Sequence, residues 1–350
     1  MNDLARLALD LVDIPSVSRH EQAVTAWIAE RVAAMPGMRV VHRQDDAIVF
    51  GPPGGPADVV LAGHSDTVPE QGNLPGRLED GAVHGLGAAD MKGSLAVMVA
   101  LAGELEQLAP ELTPLFVVFG REEVAIEESV LAGLLDDCPA ILEARLAVMM
   151  EPTANRLQLG CLGNIRASLE FRGVSAHSAR PWLGVNAIHE AVRGLRGVAE
   201  AEPTDVLLDG LPFREVLSVT EIAGGIANNV IPDRVACGLN FRYAGHRTPA
   251  QAEERLRELV GAAGELRVLS NAPAAPVAVE NPLLRRLRAA GDLAVEPKQA
   301  WTPVAEFAAR GLDAVNLGPG DPAFAHRRDE RVGVDAMSST LSVLRRFLCG

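Results

Sequence analysis

Four short runs of nearly uninterrupted apolar residues mark the first and last parts of the chain: Val59-Val60-Leu61-Ala62, Leu115-Phe116-Val117-Val118-Phe119, Leu146-Ala147-Val148-Met149-Met150 and Ala314-Val315-Asn316-Leu317. Turn residues bound each run. Elsewhere the apolar positions recur at helical spacing, over residues 4–12, 21–35 and 92–107. Strands that do not alternate are buried on both faces, so with intervening helices they predict a largely parallel sheet covered on both sides.

The middle of the chain changes period. Residues 165–171, 216–222, 235–243 and 265–269 alternate apolar with polar, as half-exposed antiparallel strands do, while 186–198 and 249–259 are helical. Their order, β-α-β-β-α-β, is the ferredoxin-like pattern. A Pro/Ala linker at 271–276 follows, and helix–strand alternation resumes. The expectation is a two-domain α/β chain. A mostly parallel-sheet first domain, 1–164 and 274–350, is interrupted by an inserted ferredoxin-like α+β domain at 165–273.

Composition narrows the partners. The 350 residues are 48% hydrophobic and 22% charged, the balance of a folded protein. A net charge of −14 repels phosphate backbones and argues against nucleic acid as a partner. The longest uncharged apolar run, 95–103, has nine residues, whereas a membrane span needs about 20. The start, Met1-Asn2-Asp3-Leu4-Ala5-Arg6, lacks the basic-then-apolar pattern of a signal peptide. Cys138, Cys161, Cys237 and Cys349 are scattered, with no C-x-x-C, and read as inert thiols in a reducing compartment. A cytoplasmic protein is expected.

The chemistry lies just after the apolar runs. His64-Ser65-Asp66 follows the first, Arg121-Glu122-Glu123 the second, Glu151-Pro152-Thr153 the third, and Gly318-Pro319-Gly320-Asp321, then His326, the fourth. Asp90 precedes a helix in Gly87-Ala88-Ala89-Asp90-Met91-Lys92-Gly93. Open α/β sheets bind ligands outside the carboxyl ends of their strands. Imidazole with carboxylate and no thiolate suits a catalytic zinc, cobalt or manganese site. Asp66, two residues beyond His64, lies on the same side of an extended strand, where it can accept the second ring N–H of a ligating His64. Of the adjacent Glu122 and Glu123, one can bind metal and the other move protons.

These segments, with Arg172-Gly173-Val174-Ser175-Ala176-His177, Asn228-Asn229-Val230-Ile231-Pro232-Asp233 and Asn240-Phe241-Arg242-Tyr243, resemble in order the motif series of the co-catalytic zinc amidohydrolases and aminoacylases of the M20 peptidase clan. Within that clan the likeness is greatest to the succinyl-diaminopimelate desuccinylases. The resemblance implies two Zn2+ ions, with Co2+ or Mn2+ as substitutes. His64, Asp90 and Glu151 would hold one ion and Asp90, Glu123 and His326 the other, with Asp90 bridging. Glu122 would be the general base, and the bond after Asp90 a cis peptide. It also implies a homodimer, through an inserted lid domain, in which His177 acts across the interface. The implied substrate is a small N-acyl diamino acid, with Arg242, Asn229, Arg180, Thr302 and Gly320 as its contacts. The related activities are removal of acetyl from ornithine or citrulline, peptidase action, and metal binding without catalysis.

Two positions depart from that pattern. Arg121 stands before the glutamate pair, where a cation would lower the Glu122 pKa unless it points to solvent. Pro303 stands where the resemblance calls for aspartate, which puts acyl preference in question. His20, His42, His84, His189 and His246 match no motif and read as surface or packing residues, His189 in mid-helix. The run Arg327-Arg328-Asp329-Glu330 beside His326 reads equally as a solvated charge run.

Overall fold

The computed structural model describes residues 3–350. It divides into two compact units. One runs up to Gly160 and takes in Ala278–Glu296 and Thr302–Gly350. The other is Cys161–Val277 with Pro297–Trp301.

The first unit is built on an eight-stranded sheet. Its centre is four parallel strands, in the spatial order Pro114–Phe119, Val59–His64, Leu146–Met149 and Ala314–Asn316. Every residue of these four is buried. They are the four apolar runs, and burial on both faces explains their lack of alternation. The margins are antiparallel: Ala47–Gly51 and then Arg39–Arg43 on one side, Leu157–Leu159 on the other. Helix Gly93–Leu108 packs on the centre and between helices Asp3–Val12 and Val334–Cys349. Gly63 lets it approach, since a Cβ there would lie 2.6 Å from the Met91 side chain and 3.0 Å from that of Leu95. The parallel register aligns His64 with Phe119 and Ala62 with Met149. The segments that leave these strands therefore emerge along one edge.

The second unit is a five-stranded antiparallel sheet, in the order Thr204–Leu208, Leu211–Gly224, Arg234–Tyr243, Gly163–Arg172, Glu265–Ala272. Helices Ala187–Ala199 and Pro249–Val260 pack on it. Asn186 caps the first by accepting the N–H groups of Ile188 and His189, and Thr248 with Gln251 forms a capping box on the second. His189 is thus an exposed first-turn residue, not a mid-helix one. Strand Thr204–Leu208 is an addition to the expected pattern, joined to its neighbour through Asp209-Gly210, both at positive φ. The unit is also wider than 165–273. Segment 297–301 binds to it, with the Gln299 side chain donating to Pro212 O (2.9 Å) and Trp301 Nε1 to Pro273 O (3.1 Å). No helix among the described residues is long and apolar enough to cross a membrane.

Candidate metal centre

His64 ends its strand and is 1% exposed. Its Nε2 lies 3.0 Å from Asp90 Oδ1. Its Nδ1 faces Asp66, 3.1 Å from the backbone carbonyl and 3.5 Å from the carboxylate. The ring's nearer Asp66 partner is therefore the main-chain oxygen, because the carboxylate is engaged elsewhere. It accepts the Ser18 hydroxyl (2.7 Å) and the backbone N–H groups of Glu122 (3.0 Å) and Glu123 (3.1 Å). Asp66 thus fixes the glutamate pair as well as the histidine.

Asp90 sits in the turn before helix Gly93–Leu108, and the Asp90–Met91 peptide bond is cis. Its second oxygen, Oδ2, lies 3.5 Å from His326 Nε2, and that nitrogen is 2.8 Å from Glu123 Oε1. Glu151 follows strand Leu146–Met149, with Oε1 4.0 Å from His64 Nε2. Three sets place one ligand atom per residue within 4.8 Å of one another: His64 with Asp90 and Glu151; Asp90 with Glu123 and His326; and His64 with Glu122 and Glu123. Asp90 is common to the first two. The third brings Glu122 close enough to count among the donors, so the geometry does not set it apart from them.

The donor set fits divalent cations. Five carboxylates (Asp66, Asp90, Glu122, Glu123, Glu151) face two imidazoles, and acids packed so closely away from water call for positive charge. The protein groups respond accordingly. Burial works against a charged His64, yet hydrogen bonds with Asp66 and Asp90 prevail and raise it well above its ordinary value. Hydrogen bonds to Asp90 and Glu123 lift His326 to about 10. Burial would raise Asp90, but the two rings hold it below the usual carboxylate range. Burial, then the Glu151 charge, drives Glu122 well above it. The carboxylates thus hold protons on rings that must be neutral to bind metal, and a cation would displace them.

Arg121 does not act on Glu122 as a cation. Its guanidinium reaches Asp46 at 2.9 Å. Its backbone N–H donates to Glu21, which is fully buried and also accepts from Arg19. Thr302 is turned into the fold, 2% exposed, its hydroxyl donating to Asn316 Oδ1 at 3.0 Å. Gly320 serves close approach, since a Cβ would stand 2.2 Å from the Ala89 carbonyl oxygen. Pro303 caps helix Val304–Ala309. In the second unit His177 is exposed on a two-residue strand opposite Val230, and its Nδ1 accepts the Ala179 N–H. Arg180 and Asn229 lie beside it, bonded through Arg180 N–H to His177 O and Ser178 N–H to Asn229 O. Arg242 is half-buried on strand Arg234–Tyr243, donating to Asn240.

Glu330 was hidden in the charge run beside His326. It is 2% exposed, and its carboxylate accepts the backbone N–H groups of Gly87, Ala89 and Asp90. The spacing from His326 was visible, but nothing in the run marked one acid as buried.

The sequence pattern of peptidase family M20/M25/M40 matches residues 60–349. A Mycobacterium tuberculosis protein with the provisional name succinyl-diaminopimelate desuccinylase DapE is 38% identical over 99% of this chain and 98% of its own. The succinyl-diaminopimelate desuccinylase of Corynebacterium glutamicum is 37% identical over 99% and 96%. An acetylornithine deacetylase of Myxococcus xanthus is 32% identical over 87% and 83%. Among solved structures, the M20 family metallo-carboxypeptidase Sso-CP2 of Sulfolobus solfataricus superposes with a TM-score of 0.81, at 16% identity and 99% coverage of both chains. The Bacillus subtilis YXEP protein, a dinuclear metal binding peptidase, gives 0.69 at 15% identity, over 99% of this chain and 96% of its own.

Proposed function

The chain belongs to peptidase family M20/M25/M40, and from that premise we propose that it is a two-zinc amide hydrolase that cleaves N-succinyl-LL-2,6-diaminopimelate to succinate and LL-2,6-diaminopimelate. The observation that carries this reading is the sharing of Asp90 between two ligand sets, with Glu122 within reach of the same donors. The substrate rests on the desuccinylases that match nearly end to end.

His64, Asp90 and Glu151 would hold one cation and Asp90, Glu123 and His326 the other. Two such ions polarise an amide carbonyl and bring the pKa of water near neutrality. Glu122 takes the proton of the attacking water, then delivers it to the amine nitrogen as the C–N bond breaks. Asp66 orients the His64 ring and, through two backbone N–H groups, the Glu122-Glu123 segment. His177 would donate to the carbonyl oxygen as it gains charge, reaching over from the other copy of a homodimer. Exposed Trp182, Leu183 and Val192 in the insert support pairing with a second copy. Arg242, Arg180 and Asn229 would meet the substrate carboxylates, since a chain of net charge −14 must attract an anion locally. Thr302 and Gly320 would add a hydroxyl and a backbone contact to the substrate. A cytoplasmic enzyme of diaminopimelate and lysine synthesis follows from this substrate.

The alternative is a related N-acyl amino acid deacylase, and the Myxococcus relative favours acetylornithine as its test substrate. Turnover of N-succinyl-LL-2,6-diaminopimelate and acetylornithine by the zinc-loaded protein decides between them. The succinyl substrate is expected to give the higher kcat/KM, and preference for the acetyl substrate would overturn the assignment.

A further inference from the structure

Asp90 can serve two ions only if both its oxygens are aimed at once, and its own turn does little to aim them. Gly87 is left-handed (φ 76°), and Asp90 and Met91 have non-helical backbone angles. The N–H groups of Gly87, Ala89 and Asp90 therefore need acceptors from outside the turn. One side chain supplies all three. Glu330 Oε2 accepts from Gly87 at 2.9 Å, and Oε1 accepts from Ala89 and from Asp90 at 3.0 Å each. The Glu330 backbone carbonyl accepts a fourth, from Gly85, at 3.0 Å. Lys92, 1% exposed and anchored by Nζ to the Ile14 carbonyl, lies within electrostatic reach of Glu330.

We propose that Glu330 is a positioning residue for the paired-cation centre, setting Asp90 so that its carboxylate bridges; this rests on the metal reading above. The segment from His326 to Glu330 then supplies one ligand directly and aims another through three backbone N–H groups. A glutamine cannot replace it. Its single carbonyl oxygen serves fewer of the three donors, and its NH2 group would face an N–H.

The test is cobalt binding to metal-free protein, followed by visible absorption, with urea unfolding of the metal-free forms alongside. Wild type is expected to bind two Co2+. Glu330→Gln is expected to weaken the second binding step by about 10–100-fold, the usual cost of losing a group that orients a ligand, and to change the cobalt spectrum. Leu344→Ala, a fully buried change in helix Val334–Cys349, destabilises the same unit and is expected to keep the wild-type isotherm. If Glu330→Gln does not fold, Glu330→Asp replaces it. It keeps the charge but is too short for all three donors, and an intermediate loss is expected. A wild-type isotherm and spectrum in the folded Glu330 variant, or an equal loss in Leu344→Ala, would overturn the proposal. Fewer than two Co2+ on wild type would instead overturn the reading of the centre itself.

Discussion

On one side of Asp90, His64 is 1% exposed and both ring nitrogens face protein groups; on the other, His326 leaves 51% of its side chain in solvent. The two halves share Asp90 and the same donor chemistry. They differ in what holds the ring. His64 is the last residue of a buried strand, and its second nitrogen meets Asp66, which itself holds Ser18 and the Glu122-Glu123 backbone. His326 lies in a loop at positive φ, steadied by Gln71 through its carbonyl. One half is therefore a rigid part of the core and the other an outer flap of ligand. In the metal-free protein the first half depends on buried ion pairs and the second on two pairs that water reaches from the His326 side.

The largest effect is expected from Glu122→Ala, which removes the proton carrier and leaves both halves standing. Hydrolysis should fall by about 10²–10⁴-fold, the usual contribution of a general base, while zinc content measured by atomic absorption stays at the wild-type level. Next comes the contrast between the halves. His64→Ala strands the buried Asp66 and Asp90 carboxylates and is expected to cost the metal-free protein about 3–5 kcal/mol in urea unfolding. His326→Ala removes a partner whose side chain is 51% exposed, so solvent can take its place beside Asp90 and Glu123, and should cost less. Equal losses would erase the distinction between core and flap.

A smaller effect comes from Glu306, a buried acid that takes no part in either half. Burial raises it from 4.5 to about 6, against the hydrogen bond from Ser129 and the Arg310 charge. A folded-state value above the unfolded one means stability that is full below pH 4.5 and is lost as pH rises through 6. The loss should amount to about 2 kcal/mol, at 1.36 kcal/mol per pKa unit. Glu306→Gln should flatten this part of the stability–pH curve, which urea unfolding between pH 4 and pH 8 would display.

Much of this centre was legible because chemistry followed each buried strand at once. The apolar runs ending at Ala62, Phe119, Met150 and Leu317 marked the edge where acids and histidines collect, since a parallel sheet points its carboxyl ends one way. What stayed hidden depends on contacts distant in sequence. Glu330 and Glu21 are ordinary acids by composition, and only folding shows them buried against the loops at 85–90 and 120–121. Asp46 takes up Arg121 for the same reason. Strand Thr204–Leu208 was different, because the signal was present: Asp209-Gly210 between apolar residues is a two-residue hairpin turn. Strand Arg39–Arg43 carries a weaker signal, being an exposed margin with little apolar pattern.

Anomalous diffraction from zinc-loaded crystals addresses the shared role of Asp90 most directly. Two peaks about 3.5–4 Å apart are expected, one against His64 and Glu151, the other against Glu123 and His326, with an Asp90 oxygen on each. A single peak, or a pair of ions not joined through Asp90, would contradict the paired-cation centre.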